Sequence, residues 1–166
     1  MRKSSIMVVA LIGVTSTFWA PNANAGFNIG AGVHYLHAMG DIDTNDPDLS
    51  KDSFGFVGSA QFAGPLLKFE GNIEYIPNYI GTDEAMWQPS IYALLGGFIY
   101  GGAGMGWGNI NDEWTDPWYA LRGGVNLPFG LDLYATYLFW TDDQLDNLTG
   151  DDLDSITFSA IMRFGI

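Results

Sequence analysis

The chain has 166 residues, 6 basic against 19 acidic side chains, a formal charge of −13 and no cysteine. That length allows one domain, and so acidic a balance argues against a basic face for nucleic acid or anionic headgroups. Without cysteine there are no disulfide staples, so stability must come from the fold itself.

The amino terminus reads as a secretory signal peptide, residues 1–25. Arg2 and Lys3 give a positive start, Ile6 to Ala20 is mostly apolar, and Ala23-Asn24-Ala25 is an A-x-A cleavage signal. A transmembrane helix is the weaker reading, because the stretch is short and is followed by Pro21 and Asn22. The remaining domain, 26–166, keeps Lys51, Lys68, Arg122 and Arg163 as its only basic residues, 4 against 19 acids or −15.

Eight segments then alternate apolar and polar residues with a period of two. Phe27–Leu36 sets Phe27, Ile29, Ala31, Val33 and Tyr35 on one face. Ser53–Phe62 does so with Phe54, Phe56 and Phe62, and Leu67–Ile76 with Leu67, Phe69, Ile73 and Tyr75. Trp87–Leu95 and the glycine-diluted Phe98–Trp107 follow. Trp118–Leu127 carries Tyr119, Leu121 and Val125, and Leu131–Trp140 carries Leu133, Tyr137 and Phe139. The last, Asp154–Ile166, alternates throughout: Ile156, Phe158, Ala160, Met162, Phe164, Ile166. Each is long enough to cross a bilayer as a tilted strand, and almost nothing is left over to form a second layer. The pattern predicts an all-β fold: an eight-stranded antiparallel up-and-down transmembrane β-barrel with its apolar side in lipid. A secreted soluble β-sandwich is the competing fold, and it would be recovered folded without detergent.

The connections alternate in length. Residues 37–52, 77–86, 108–117 and 141–153 are long and acidic, whereas Ala63-Gly64-Pro65-Leu66, Gly96-Gly97 and Pro128-Phe129-Gly130 are tight. Short turns belong on the periplasmic side and long loops outside. Aromatic residues gather at both strand ends. Tyr35, Phe54, Tyr75, Trp87, Trp107, Trp118, Tyr119, Phe139 and Trp140 lie near the loops; Phe27, Phe62, Phe69, Phe98, Phe129 and Phe164 lie near the turns. Two such belts are expected where rings straddle the headgroup layer. Glycines at 101, 102, 104, 106, 123 and 124 leave wall without side chains, room for bulky inward neighbours or strong bending.

The polar phase points inward and holds three of the four basic residues. Lys68, Arg122 and Arg163 should pair with Glu70, Glu74 and Asp132 inside the barrel, because buried charges need partners. Such a lumen charge network is either a salt-bridge core that fills a narrow barrel or a gate in a polar path.

With these features in place, the chain resembles the small eight-stranded outer-membrane barrels of Gram-negative bacteria, the class of the OmpA membrane domain and OmpX. The likeness spans 26–166 and rests on the signal peptide, strand count, loop alternation and final strand SITFSAIMRFGI. It implies residence in the cell outer membrane, contact with its lipids and handling by the outer-membrane insertion machinery. The chain ends in Ile166, with Phe164 two places earlier, where such proteins typically end in an aromatic residue.

Three functional readings follow. The first is a structural or surface-interaction role, a monomer displaying acidic loops around a largely side-chain-filled lumen. The second is a narrow channel for small solutes. The third is a lipid-modifying acyl hydrolase, which needs a serine beside a histidine base. Only His34 and His37 are available, Ser53, Ser59, Ser155 and Ser159 are on neighbouring strands, and no His-x-Ser pair occurs. No enzyme activity and no cofactor are expected. Asp41, Asp43, Asn45 and Asp52 fall at positions one, three, five and twelve of a calcium-loop pattern, but Asp46 replaces its glycine and Asp52 its glutamate. Loose divalent-cation binding shared by acidic loops is the better expectation.

Overall fold

The computed structural model describes residues 26–39, 50–140 and 154–165. The expected signal peptide, Asp41, Asp43, Asn45 and Ile166 lie outside the described residues. The strands are β1 (Gly26–Ala38), β2 (Asp52–Ala63), β3 (Leu67–Ile76), β4 (Met86–Gly96), β5 (Ile99–Gly106), β6 (Asn109–Ile110), β7 (Glu113–Trp114), β8 (Trp118–Asn126), β9 (Leu131–Trp140) and β10 (Ser155–Gly165). Eight of them form the wall, each paired antiparallel with its neighbours, and the β1–β10 and β3–β4 ladders leave no free edge. Closure satisfies every wall strand on both sides, the condition for a sheet to sit in hydrocarbon.

The ladder fixes the barrel's dimensions. Stepping across it from Asn28 leads to Gln61, Glu70, Tyr92, Gly104, Ala120, Leu138 and Ser155, and returns to β1 at Ala38, not Asn28. The offset of ten residues (38 − 28) is the shear of the barrel. With strands roughly 4.8 Å apart and a rise of roughly 3.3 Å per residue, this gives a tilt of about 40° and a radius of about 8 Å. An interior that narrow has room for side chains and little else.

Side chains sort by phase. Phe54 is 71 % exposed and Leu121 58 %, whereas Gln88 and Asp132, on the opposite phase, are 0 % and 1 % exposed. The wall is apolar outside, and the inward phase holds the buried polar and charged side chains together with apolar ones such as Leu94 and Ile161. Three cross-strand aromatic pairs mark the loop-side rim: Tyr35 with Phe54, Tyr75 with Trp87, and Tyr119 with Phe139, at ring separations of 5.1, 4.5 and 6.1 Å. Phe27, Phe62, Phe69, Phe98, Phe129 and Phe164 are exposed toward the turns. Trp118 does not join the belt. It sits on the inward phase, wholly buried, opposite Gly106. A Cβ on Gly106 would collide with the Trp118 ring, and one on Gly104 with the Tyr92 ring. These β5 glycines therefore make space for large luminal side chains.

Two long loops have structure of their own. Residues 108–117 contain the β6–β7 hairpin, where Asn111 and Asp112 both take positive φ (54° and 66°). That is the two-residue turn whose twist suits a hairpin, and Asn and Asp tolerate it best after glycine. β6 also pairs with the start of β4, so the wall continues above the rim there. In residues 77–86 a short helical turn, Tyr79–Gly81, is fastened to β2 by Ile80 N–H donating to Ser53 Oγ at 2.9 Å.

Candidate functional site

The inward phase gathers charge in the lumen. Glu70 projects from β3, Arg122 from β8, Asp132 from β9 and Arg163 from β10. Arg122 Nη1 donates to Glu70 Oε1 at 2.8 Å, and Arg163 Nη2 donates to Glu70 Oε2 at 2.7 Å. Gln61 Nε2 donates to the same Oε2 at 2.8 Å. Arg163 also donates through Nε to Asp132 Oδ2 and through Nη1 to Ser59 Oγ, both at 2.7 Å. Asp132 Oδ1 accepts from Tyr100 OH at 2.8 Å, and Arg122 Nε donates to Thr136 Oγ1 at 2.9 Å. One connected network thus spans the lumen from six strands.

Arg122 is also held by its faces. Its guanidinium carbon lies 3.5 Å from the Tyr92 ring centre and 4.0 Å from that of Tyr134. A flat, delocalised cation between two rings is favoured in a way a lysine would not reproduce.

Of the other two expected members, Glu74 makes a longer ion pair with Arg122 and Lys68 stands apart. Glu74 is 3.9 Å from Arg122 Nη2, outside hydrogen-bond range. Lys68 makes no ion pair within 4 Å among the described residues; its ammonium donates to Gly97 O at 3.3 Å and lies 4.6 Å over the Tyr100 ring. Lys68 and Asp132 both lie at the turn ends of their strands, but Arg163 takes Asp132, and the long Lys68 stem carries its ammonium to the turn carbonyl of Gly97.

Sequence reasoning singled out His34 and Ser159 without seeing that they meet. His34 Nδ1 is 3.3 Å from Ser159 Oγ and 3.8 Å from Glu74 Oε2. A catalytic triad addresses serine and acid to opposite ring nitrogens. Here both face Nδ1, and the cluster is buried in the lumen. His37 and Asp52 are on the outer rim: Asp52 Oδ1 accepts from Tyr35 OH at 2.6 Å and lies 2.6 Å from His37 Nδ1. Asp52 is thus engaged within the wall. Among the described residues no group of three or more metal-ligating side chains forms.

The loop end of the lumen is apolar. Leu36, Ile76 and Met86 pack together, fully buried, with Tyr79 and Ile110 from the loops against them. Burial pushes the Tyr79 phenol up to about 12, so it stays uncharged in this lid. This closure was missed from sequence because apolar residues at the ends of the polar phase look like ordinary strand termini.

No protein-family model and no curated protein matches the sequence. Solved structures do. Neisserial surface protein A aligns with a TM-score of 0.57 at 16 % identity, covering 86 % of this chain and 98 % of that one. A de novo designed transmembrane β-barrel aligns at 0.51 and 12 % identity, covering 85 % and 98 %. The attachment invasion locus protein Ail of Yersinia pestis aligns at 0.47 and 16 %, covering 85 % and 100 %. This chain therefore has the fold of the small eight-stranded outer-membrane β-barrels, a closed antiparallel barrel that crosses the membrane with its strands.

Proposed function

We propose that this protein is a surface-interaction barrel of the Gram-negative outer membrane, a rigid anchor that displays acidic loops around a lumen blocked by its own side chains. The observation that carries the reading is the Arg122–Glu70–Arg163–Asp132 network, which ties opposite walls together through the middle of a barrel of about 8 Å radius. A conduit needs that space; an anchor benefits from filling it. The division of acids supports the same reading. Asp41, Asp43, Asp46, Asp48, Asp142, Asp143, Asp146, Asp151 and Asp152 are all in the first and last long loops. Those loops favour cationic partners or shared divalent ions, and the apolar wall favours outer-membrane lipids. The similarly folded neisserial surface protein A is a surface protein, which agrees with this reading.

The test is topological. Protease added to intact cells should cut within 40–49 and 141–153 and leave the strands protected. Replacing 40–49 by a short glycine–serine link should leave a folded, heat-modifiable barrel and reduce calcium binding by the purified protein. Loss of membrane assembly on that replacement would contradict the anchor reading.

A further inference from the structure

One aromatic rung does not stop at the belt. Tyr75, Trp87, Asn109 and Trp114 are successive ladder partners on β3, β4, β6 and β7. Direct partners in an antiparallel ladder share a face, and here it is the outward one: Trp87 is 46 % exposed and Trp114 65 %. Tyr75 braces Trp87, ring to ring at 4.5 Å. Two strand spacings, roughly 10 Å, separate Trp87 from Trp114, and Asn109 stands between them. The Asn109 amide and the Trp114 indole N–H meet no hydrogen-bond partner among the described residues.

The rung also climbs. A circuit of the ladder in the direction β3 to β4 gains ten residues toward the loops, from Asn28 to Ala38. At a tilt of about 40°, each strand step therefore rises about 3 Å. Trp114 stands about 9 Å above Tyr75, whereas the headgroup layer is roughly 5–8 Å deep. The rim pairs Tyr35–Phe54 and Tyr119–Phe139 each span a single step. The hairpin that lifts Trp114 is held firm. Gly108 and Thr115 bond twice at its base, both at 2.8 Å, and Ile110 packs against the loop-end apolar cluster.

The rung's chemistry selects its ligand. It is uncharged, and it offers two indole rings and an amide that both donates and accepts. That combination suits the apolar faces and hydroxyl groups of a sugar ring. Residues 77–121 contain no Lys, Arg or His, and Asp112 and Glu113, next to Trp114, are exposed acids. A phosphate or an acidic sugar would be repelled there. Below the rung the same face continues into the lipid-facing wall through Ile73 and Ile91. A ligand that covers both parts is amphipathic, with its sugar above and acyl chains beneath. We propose that Trp87, Asn109 and Trp114 form a clamp for the uncharged sugar head of an outer-leaflet glycolipid, whose chains lie against Ile73 and Ile91. The clamp uses neither the acidic-loop partners nor the lumen, so its failure leaves the proposed surface role standing.

The test uses the folded barrel labelled with fluorotryptophan in phosphatidylcholine nanodiscs carrying increasing fractions of a galactosyl diacylglycerol. Trp114→Phe assigns the Trp114 fluorine signal. In the wild type that signal should shift with galactolipid and saturate. Asn109→Val and Trp87→Ala keep Trp114 as reporter, and each should weaken the response by about fivefold; either variant suffices if the other fails to fold. A Trp114 signal indifferent to galactolipid would reduce the rung to an ordinary aromatic belt and overturn the proposal. Folded variants that titrate like the wild type would overturn it too. So would an equal response to free methyl galactoside, which would assign a soluble saccharide, or a response confined to a phosphorylated glycolipid.

Discussion

Glu70 and Arg163, 93 residues apart in sequence, meet across the lumen at 2.7 Å, and the same carboxylate takes Arg122 on its other oxygen. Glu70 is thus the acid on which both buried arginines depend. Glu70→Ala leaves two guanidinium groups short of charge at once. Removing one partner of a buried ion pair costs about 3–5 kcal/mol. The unfolding midpoint in detergent should fall accordingly, and further than for Asp132→Ala, which leaves Arg163 its bond to Glu70. Equal midpoints for the two variants would contradict the shared-acid arrangement.

Lys68 supplies the contrast. It has a carbonyl and a ring for company but no ion pair among the described residues. Lys68→Met keeps the stem and the contact with Tyr100 while removing the charge, so stability should change by less than about 1 kcal/mol. Urea denaturation of both proteins in one detergent measures it. A loss as large as that of Glu70→Ala would show that Lys68 belongs to the network.

How much of this was legible in the sequence depends on range. A period of two is a local property, so the faces of Phe54, Leu121, Ile156 and their neighbours follow from alternation alone. Partners across the lumen are not local. That Glu70 reaches Arg122 and Arg163 depends on the ten-residue shear, set by the whole ladder. Lys68, two residues away on the same phase, therefore looked equivalent and is not. Trp118 was grouped with the belt for its nearness to a loop, although the alternation of Tyr119, Leu121 and Val125 already put it on the inward phase; opposing Gly106 was a second signal. The β6–β7 hairpin was hidden by its acidity, although Asn111-Asp112 is a competent turn pair.

The glycines of β5 give a steric prediction. Gly106→Val places a branched side chain where Trp118 packs and Gly104→Val one against Tyr92. Overpacking commonly costs about 1–3 kcal/mol, and a wall glycine hemmed in by a neighbouring backbone carbonyl has little room to relax. Both variants should fold less efficiently, read as a smaller heat-modifiable fraction on unboiled gels. Gly106→Val combined with Trp118→Ala should recover part of the loss. A double variant worse than the single would contradict the contact.

The outer wall should show depth dependence. Ile91, 57 % exposed midway along β4, faces hydrocarbon, whereas Phe54 lies near the rim. Ile91→Arg should cost about 2–4 kcal/mol and Phe54→Arg about 0–1 kcal/mol from charge burial. Refolding into phospholipid vesicles with urea titration measures both. Equal small costs would mean that Ile91 is in water.

The central claim is that the lumen is closed by its own side chains, and single-channel recording in a planar bilayer tests it most directly. Purified wild-type protein, inserted and shown folded, should give no steady conductance steps at any moderate voltage. Steady, reproducible steps from the wild type would contradict a lumen plugged by Glu70, Arg122, Asp132 and Arg163.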